Sequence, residues 1–330
     1  MDVHHFVTGG GSHSIFIAEN QRIYCAGWNG RGQFGTESES NWLSFTLPFE
    51  VQMVVAGQSH THFLDIQGNV WSCGWNSFGQ LGLGDFEENL PLTQITTLPR
   101  IVSITTKYNH SLALDDSGIV WVFGANHSSQ LGPGEQMIGT PKKMVNLPFI
   151  LSVAAGRDFS VFLDENGNVW GCGTISDGEL GPREAYKNPT MLSNLPKIKQ
   201  ISAGLRHCAF LDYDFVAWWI SGESKALKTL PPINFIASNK DKSYHLDFDG
   251  HVWEGDYNPS KRLNLPPIVG IGVGLDFVHY VDIDGHIWSF GNNSSNQINT
   301  YGDCDYAVPK QNLFVTMHVS QKATVKSARK

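Results

Sequence analysis

One short segment recurs along the 330-residue chain, and this repetition constrains the fold more than any other feature. Five copies join a strand-forming stretch with an aromatic residue to a loop that contains glycine, as in GNVWSCGWNSFGQLG at 68–82, and two worn copies lack most of this loop. Aligned on the aromatic residue, the copies follow one another at intervals of 35 to 50 residues, at Tyr24, Trp71, Trp121, Trp170, Trp218, Trp253 and Trp288. Such a period indicates a repeat architecture.

Each copy has the pattern of several short strands. In the second copy, apolar runs at 51–55, 61–65 and 70–74 are separated by turn residues, and LTQI at 92–95 can supply a fourth strand. Four short strands per repeat form a propeller blade. We therefore predict an all-β fold, a seven-bladed β-propeller of four-stranded blades. The alternative is six regular blades with an irregular cap.

Three details of the blade follow from residue chemistry. Because glycine adopts positive φ cheaply, the loop glycines at 74–84 are expected where the chain crosses to the next blade. The tryptophan is expected to be an apolar plate buried between neighbouring blades. Aspartates that precede each hairpin turn are expected to form Asx turns; they are Asp65, Asp115, Asp164, Asp212, Asp247 and Asp282.

The ends of the chain suggest how the ring closes. HHFVTGGGSHSIFIA near the N-terminus matches the middle of a repeat, and YAVPKQNLFVTMHV near the C-terminus resembles the part that would precede it. We predict that the N- and C-terminal segments share one blade, which removes free sheet edges. The two shortest intervals predict that the fifth and sixth blades are trimmed.

We assign residues 1–319 to a single propeller domain and 320–330 to a short basic tail. The first 309 residues carry 18 basic and 31 acidic groups, a net charge of −13. This charge argues against nucleic-acid binding. The tail is expected to be frayed; its contact with a phosphate or a membrane headgroup is the alternative.

The composition fits an intracellular protein of the cytoplasm or nucleus. No apolar run approaches the roughly 18 residues of a membrane span, and MDVHHFVTGG lacks the basic start and apolar core of a signal peptide. The five cysteines are an odd number without a C-x-x-C pair, which favours reduced, buried thiols.

The repeat also has a recognisable motif. AGQSHTHFLDIQGNVWSCGWNSFGQLGLGD at 56–85 resembles the regulator of chromosome condensation repeat family, and the likeness extends over essentially the whole chain. The resemblance implies a seven-bladed propeller. It also implies one of several activities, because the founding member is an exchange factor for the small GTPase Ran while relatives act in ubiquitin ligation, membrane traffic or scaffolding. Fold does not choose among these activities.

Motifs of phosphate-binding loops, zinc peptidases and serine hydrolases are absent from the sequence. We therefore expect no enzyme activity, no cofactor and no metal, and interpret His60 and His62 as satisfied strand histidines. The leading hypothesis is a monomeric protein-interaction propeller, with exchange activity on a Ran-like GTPase as its most specific form. The competing hypothesis is a scaffold or adaptor, and the third is chromatin or lipid binding through the tail.

The candidate site is the set of G-x-x-H turns, which must all lie at one end of the propeller around the channel mouth. The histidines are expected to be mainly structural, but the resemblance implies that this end holds the GTPase. Charged residues that occupy these turns without a structural reason common to all repeats are the stronger candidates for partner contacts. The partner-binding candidates on these turns are Arg157, Asp158, Arg206, His207, Asp241, Lys242, Asp276, His60 and His110. An acidic loop adds Asp85, Glu87 and Glu88, and 133–141 and 181–189 are further candidate loops.

Overall fold

The computed structural model describes residues 7–36, 38, 41–174, 180, 185–221, 223–262, 264–298 and 306–316. The segment 320–330 lies outside these residues, so the boundary between propeller and tail stays a prediction. Every regular element of the described residues is a β-strand.

Twenty-eight strands form seven antiparallel sheets of four, and each sheet uses four consecutive strands. Blade one contains β1 to β4, at Val7–Gly9, His13–Ile17, Arg22–Gly27 and Trp42–Thr46. Blade two contains β5 to β8, at Val51–Ala56, His60–Asp65, Val70–Gly74 and Leu90–Gln94. Blade three contains β9 to β12, at Ile101–Thr106, His110–Asp115, Val120–Ala125 and Met137–Lys143. Blade four contains β13 to β16, at Ile150–Ala155, Phe159–Asp164, Val169–Thr174 and Ala185–Met191.

The remaining blades follow the same order. Blade five contains β17 to β20, at Ile198–Ala203, Cys208–Asp212, Ala217–Ser221 and Glu223–Ala226. Blade six contains β21 to β24, at Ile233–Ser238, Ser243–Asp247, Val252–Glu254 and Ser260–Lys261. Blade seven contains β25 to β28, at Ile268–Val273, Phe277–Asp282, His286–Gly291 and Tyr306–Thr316. The seven-bladed propeller is confirmed, and the alternative of six blades with a cap is wrong.

Burial follows the position of each strand in its blade. The first strands line a central channel of about 280 Å³. The second strands are buried on both faces, so that every residue of β6, β10 and β14 is buried. This follows from the ring, because both faces of a blade pack against neighbouring blades.

A buried aspartate organises each hairpin between second and third strands. In blade two, Asp65 Oδ1 accepts hydrogen bonds from the backbone N–H groups of Gln67 and Asn69. Asp65 Oδ2 accepts the indole N–H of Trp71 at 3.0 Å. The Asx turn and the indole bond recur at Asp115, Asp164, Asp212, Asp247 and Asp282. The Asx turns are thus confirmed. The tryptophans are half-buried rather than fully buried: each is bonded to its own hairpin and packs against a core cluster, which for Trp71 and Trp121 combines residues of neighbouring blades.

Buried hydroxyl groups join neighbouring blades. The Ser111 hydroxyl of blade three donates to the Gln80 carbonyl of the preceding blade at 3.0 Å and lies 2.8 Å from His62 Nε2. Equivalent bonds join Thr61 to the Gln33 carbonyl, Ser160 to the Gln130 carbonyl and Ser14 to the Gln297 carbonyl. The same polar joint thus recurs at four places in the ring, between one blade's loop and the next blade's second strand.

The prediction that the two chain ends share a blade is wrong. The first strand, Val7–Gly9, is the inner strand of blade one, and Tyr306–Thr316 is the outer strand of blade seven. The N-terminal repeat therefore lacks no strand; its inner strand is only three residues long and hard to recognise in VTGG. The ring closes instead through side chains and turns, since Ser14 contacts His279 at 2.8 Å and Gly10 accepts the N–H of Leu275.

The glycine-rich loop also has a different place from the one expected. The loop at 75–89 joins the third and fourth strands of blade two, whereas the link to blade three is the short segment 95–100. The loop still contacts the next blade, because Gly84 N–H donates to the carbonyl of Gly139. The trimming of blades five and six is confirmed: five residues separate Glu254 from Ser260, where blade two has fifteen.

Replacing Ser111 by alanine tests the joint between blades. The change removes a buried hydroxyl and leaves His62 Nε2 and the Gln80 carbonyl without this partner, so the free energy of unfolding should fall by about 1–3 kcal/mol. Urea unfolding followed by tryptophan fluorescence measures it. Ser117→Ala, at an exposed hairpin position, is the control and should change stability by less than about 0.5 kcal/mol. Equal effects of the two variants would contradict the role of the joint.

Candidate partner-binding end

One end of the propeller, the loop end, carries the turns between first and second strands together with the loops between third and fourth strands. Backbone hydrogen bonds link these turns around the channel mouth. Within the described residues they join five of the seven neighbouring pairs of turns: Gly11 to Gln58, Gln58 to Tyr108, Leu205 to Lys240, Lys240 to Leu275, and Leu275 to Gly10. The candidate residues therefore project from a backbone ring whose geometry is largely fixed.

The turn histidines do not reach the surface. His60 and His110 are fully buried, with Nε2 atoms 2.9 Å from Thr106 Oγ1 and 3.2 Å from Ser160 Oγ. Both contacts cross to the next blade, so these two candidates hold blades together and their role as partner contacts is wrong. His207 is 5% exposed and has Nε2 3.8 Å from Asp256 Oδ1 of blade six, which gives it little surface to offer.

The charged candidates do lie on the loop end, and three of the turns hold an ion pair. Arg157 donates a hydrogen bond to its neighbour Asp158. Lys242 donates to Glu254 Oε1 at 2.6 Å, while Arg206 and Asp241 are exposed. Asp276 of blade seven forms an ion pair with Lys240 of blade six, with Oδ1 and Nζ 3.2 Å apart.

The exposed charges of these turns lie on one side of the ring, and the only charge in the turn of blade three is the buried Lys107. The equivalent turn positions of blades one and two are Gly11, Ser12, Gln58 and Ser59, which carry no charge. We name the charged side the charged arc; it spans blades four to seven and consists of Arg157, Asp158, Arg206, Lys240, Asp241, Lys242 and Asp276. The charged arc coincides with the trimmed loops of blades five and six, so those turns are less covered than the others.

Two of the three acids in the acidic loop of blade two are engaged in hydrogen bonds or ion pairs within the propeller. Asp85 Oδ1 accepts hydrogen bonds from Asn76 Nδ2 and from the Glu87 N–H. Glu88 pairs with Arg31 of blade one at 2.9 Å and accepts the Ser77 hydroxyl. Glu87 is exposed and is the best partner-contact candidate of the three. The loop 181–189 lies partly outside the described residues.

Lys107 is a site residue that the sequence analysis missed. It replaces the turn glycine of blade three, and its Nζ donates to the Ser238 carbonyl of blade six at 2.6 Å, across the channel. Burial lowers the pKa of Lys107 to about 8. The only signal in the sequence is a lysine where Gly10, Gly57 and other copies have glycine.

Metal binding is not favoured at His60 and His62. Their rings meet edge to face at 5.1 Å, and each Nε2 is engaged by a hydroxyl group of blade three. Two other groups of possible ligands occur in the described residues, in the hairpins 247–251 and 282–286. There His251 Nδ1 lies 3.1 Å from Asp247 Oδ2, where the equivalent Asn69 donates to Asp65 Oδ2 in blade two, so the histidine replaces a hairpin asparagine.

The repeat is recognised independently by comparison with known families. The regulator of chromosome condensation (RCC1) repeat matches residues 67–114 and 117–163, and a second form of the same repeat matches 5–33, 51–80, 101–130 and 150–179. The chain belongs to this repeat family. Comparison with curated protein sequences gives no match.

Several solved structures have the same fold, and one of them is that of yeast RCC1, Prp20. Prp20p of Saccharomyces cerevisiae, whose structure was described with its binding to Gsp1p and histones, is 21% identical, with 94% of this chain and 88% of Prp20p covered and a TM-score of 0.76. Human WBSCR16 is 18% identical, with 87% and 88% covered and a TM-score of 0.75. The ectodomain of the Arabidopsis thaliana receptor kinase ACR4 is 13% identical, with 87% and 94% covered and a TM-score of 0.61. At these identities the likeness shows the fold alone. No helix that is long and apolar enough to cross a membrane occurs in the described part of this RCC1-type chain.

The buried histidines should make this RCC1-type propeller sensitive to acid. Burial lowers the pKa of His13, His62 and His279 to about 3 and that of His110 and His245 to about 4. Below pH 6.5 the unfolded chain binds protons that the folded chain does not. The free energy of unfolding therefore decreases as the pH is lowered, by up to about 1.4 kcal/mol per pH unit for each histidine. Urea unfolding between pH 7.5 and 5 measures this slope. His127→Gln, at an exposed position, should leave the slope unchanged, and a flat stability would contradict the burial.

Lys107 should have a signature of the same sign, but in the alkaline range. Its folded pKa of about 8 lies below the ordinary 10.5, so between these values the unfolded chain binds the extra proton and stability rises with pH. Relative to Lys107→Met, the wild type should gain up to about 1.4 kcal/mol per pH unit from pH 8 to 10. Urea unfolding of both proteins at pH 7, 8, 9 and 10 measures the difference. A difference that does not change with pH would show that the amine is solvated.

Proposed function

We propose that this propeller is a protein-interaction module whose loop end binds a small GTPase of the Ran type and accelerates release of its guanine nucleotide. The observation that carries the proposal is the charged arc, confined to four adjacent blades on an end whose turns are joined by backbone bonds. Membership of the RCC1 repeat family and the described binding of Prp20p to Gsp1p support it by analogy.

Exchange of this kind needs no covalent chemistry. A surface that binds the nucleotide-free GTPase more tightly than the loaded form lowers nucleotide affinity by the same factor, because binding linkage is reciprocal. The backbone ring supplies a surface that loses little conformational entropy on binding. The chain's own residues therefore act by position and charge, and no group of the propeller has to gain or lose a bond.

Individual residues of the charged arc have distinct tasks in this proposal. Asp241 and Asp276 are exposed and supply negative charge toward basic groups of the GTPase, and Arg206 supplies positive charge beside them. Asp276 exchanges its ion pair with Lys240 for a contact with the partner, at small cost because both groups are partly solvated. The short loops of blades five and six leave room for the partner above these turns.

Nucleotide release tests the proposal directly. Purified Ran loaded with a fluorescent guanine nucleotide is mixed with this protein at micromolar concentration, and accelerated loss of fluorescence is expected. The triple variant Asp158→Asn, Asp241→Asn, Asp276→Asn should slow the accelerated release about tenfold, since three partly exposed charge contacts contribute about 1.5 kcal/mol together.

A matched control separates the arc from general charge effects. Asp214→Asn, Asp249→Asn and Asp284→Asn remove three exposed acids from the opposite end of the propeller and should leave release unchanged. Ran binding without accelerated release, with folding verified by urea unfolding, would reject exchange and leave the scaffold hypothesis. Equal loss in both triple variants would reject the assignment to the loop end.

A further inference from the structure

The other end of the propeller, the hairpin end, carries only negative charge in its turns. It consists of the links between blades, which carry the exposed basic residues Arg100, Lys197 and Lys228, and of the turns between second and third strands. These turns all lie in the described residues, at 18–21, 66–69, 116–119, 165–168, 213–216, 248–251 and 283–286. None of these seven turns contains lysine or arginine. Six contain one exposed acid, at Glu19, Asp116, Glu165, Asp214, Asp249 and Asp284. The turns thus place a ring of carboxylates around this end.

In blades five to seven, each acid follows an exposed apolar residue. Tyr213 is 59% exposed, Phe248 42% and Ile283 57%. The hairpin does not need an apolar residue there, because blades three and four have Asp116 and Glu165 at the same position. Three adjacent blades therefore share a pattern of apolar residue and acid that the fold itself does not explain.

These residues form one continuous surface. The Phe248 ring meets Phe215 of blade five edge to face, with centroids 5.1 Å apart. Toward blade seven, the Gly250 carbonyl accepts the N–H of Ile268, and the Pro267 carbonyl accepts the N–H of Ile283. The hairpins of blades six and seven are therefore both bonded to the chain segment that links these two blades. We name this surface the acid–apolar strip; it consists of Tyr213, Asp214, Phe248, Asp249, Ile283 and Asp284.

The last described strand delivers the following residues to this strip. β28 ends at Thr316, which pairs with His286 in the hairpin of blade seven. The sequence that follows, MHVSQKATVKSARK at 317–330, contains four basic residues and no acid. It also contains aliphatic residues, such as Val319 and Val325, between its charges. Fourteen residues span up to about 46 Å when extended, enough to pass from blade seven across blades six and five.

We propose that residues 317–330 bind the acid–apolar strip of the same chain. The basic side chains lie against Asp214, Asp249 and Asp284, and the aliphatic residues cover Tyr213, Phe248 and Ile283. Each exposed ion pair is weak, but a short tether holds the segment at an effective concentration in the millimolar range. Aromatic rings at this edge already hold a cation, since Lys199 Nζ lies 3.4 Å from the centroid of the Phe215 ring.

Site-specific cross-linking in the full chain tests the proposal. Phe248 is replaced by the photo-reactive residue p-benzoylphenylalanine, and cross-linked peptides are identified by mass spectrometry. The matched control places the same residue at Phe86, which is similarly exposed but lies at the loop end. We expect monomeric products that join position 248 to 317–330, at least fivefold more abundant than those from position 86.

Charge variants make the test specific. Asp249→Asn with Asp284→Asn should lower the cross-link yield at least threefold, as should raising the salt from 0.05 to 0.5 M, which screens exposed charges. Glu87→Gln with Glu135→Gln, at the loop end, should leave the yield unchanged. Products found only in dimers would assign the strip to a second copy and overturn the proposal. Equal yields from positions 248 and 86, or a yield insensitive to both acids and salt, would also overturn it.

Discussion

The ring depends on one interaction, the buried hydroxyl that joins each regular blade to the one before it. Ser111 is typical, because its hydroxyl donates to the loop carbonyl of Gln80 and contacts the imidazole of His62. Two sheets packed face to face would otherwise bury a loop carbonyl and an imidazole without partners, at a cost of a few kcal/mol. The joint therefore fixes the loop, the turn and the second strand relative to each other. It also requires the histidine to stay neutral, which burial ensures by lowering its pKa.

The joint is altered on the side of the ring that includes the trimmed blades, since Cys208 of blade five and Val278 of blade seven stand at the position of the hydroxyl residue. Blade five has Cys208 at the position of the hydroxyl, and His207 lies 3.8 Å from Asp256 instead of contacting a serine. Lys107 reaches into the same region from the far side of the channel. The regular side of the ring thus serves stability, while the irregular side concentrates the charges that a partner can recognise.

The sequence predicted those features that depend on local chemistry repeated many times. Seven aromatic positions identified seven blades, and Asp65 and its equivalents identified the Asx turns, because each signal lies within a few residues. The phase of the repeat was wrong, since the three-residue strand Val7–Gly9 carries little pattern. The placement of His60 was wrong as a partner contact because its surroundings come from the next blade. The bond from Lys107 to Ser238 could not be predicted, since it joins residues 131 positions apart.

The pairing of four consecutive strands in every blade has a consequence for how the chain could be rearranged. Among the described strands, no blade borrows a strand from the far end of the chain, so blades seven and one meet through the same kinds of contact as other neighbours. The ring is therefore closed without a shared blade, and separating blades seven and one breaks no strand pairing. Linking the present ends and cutting between any other two blades would give a circular permutant with the same seven sheets. The seam at Ser14 and His279 is then only one of seven places between blades where unfolding can begin.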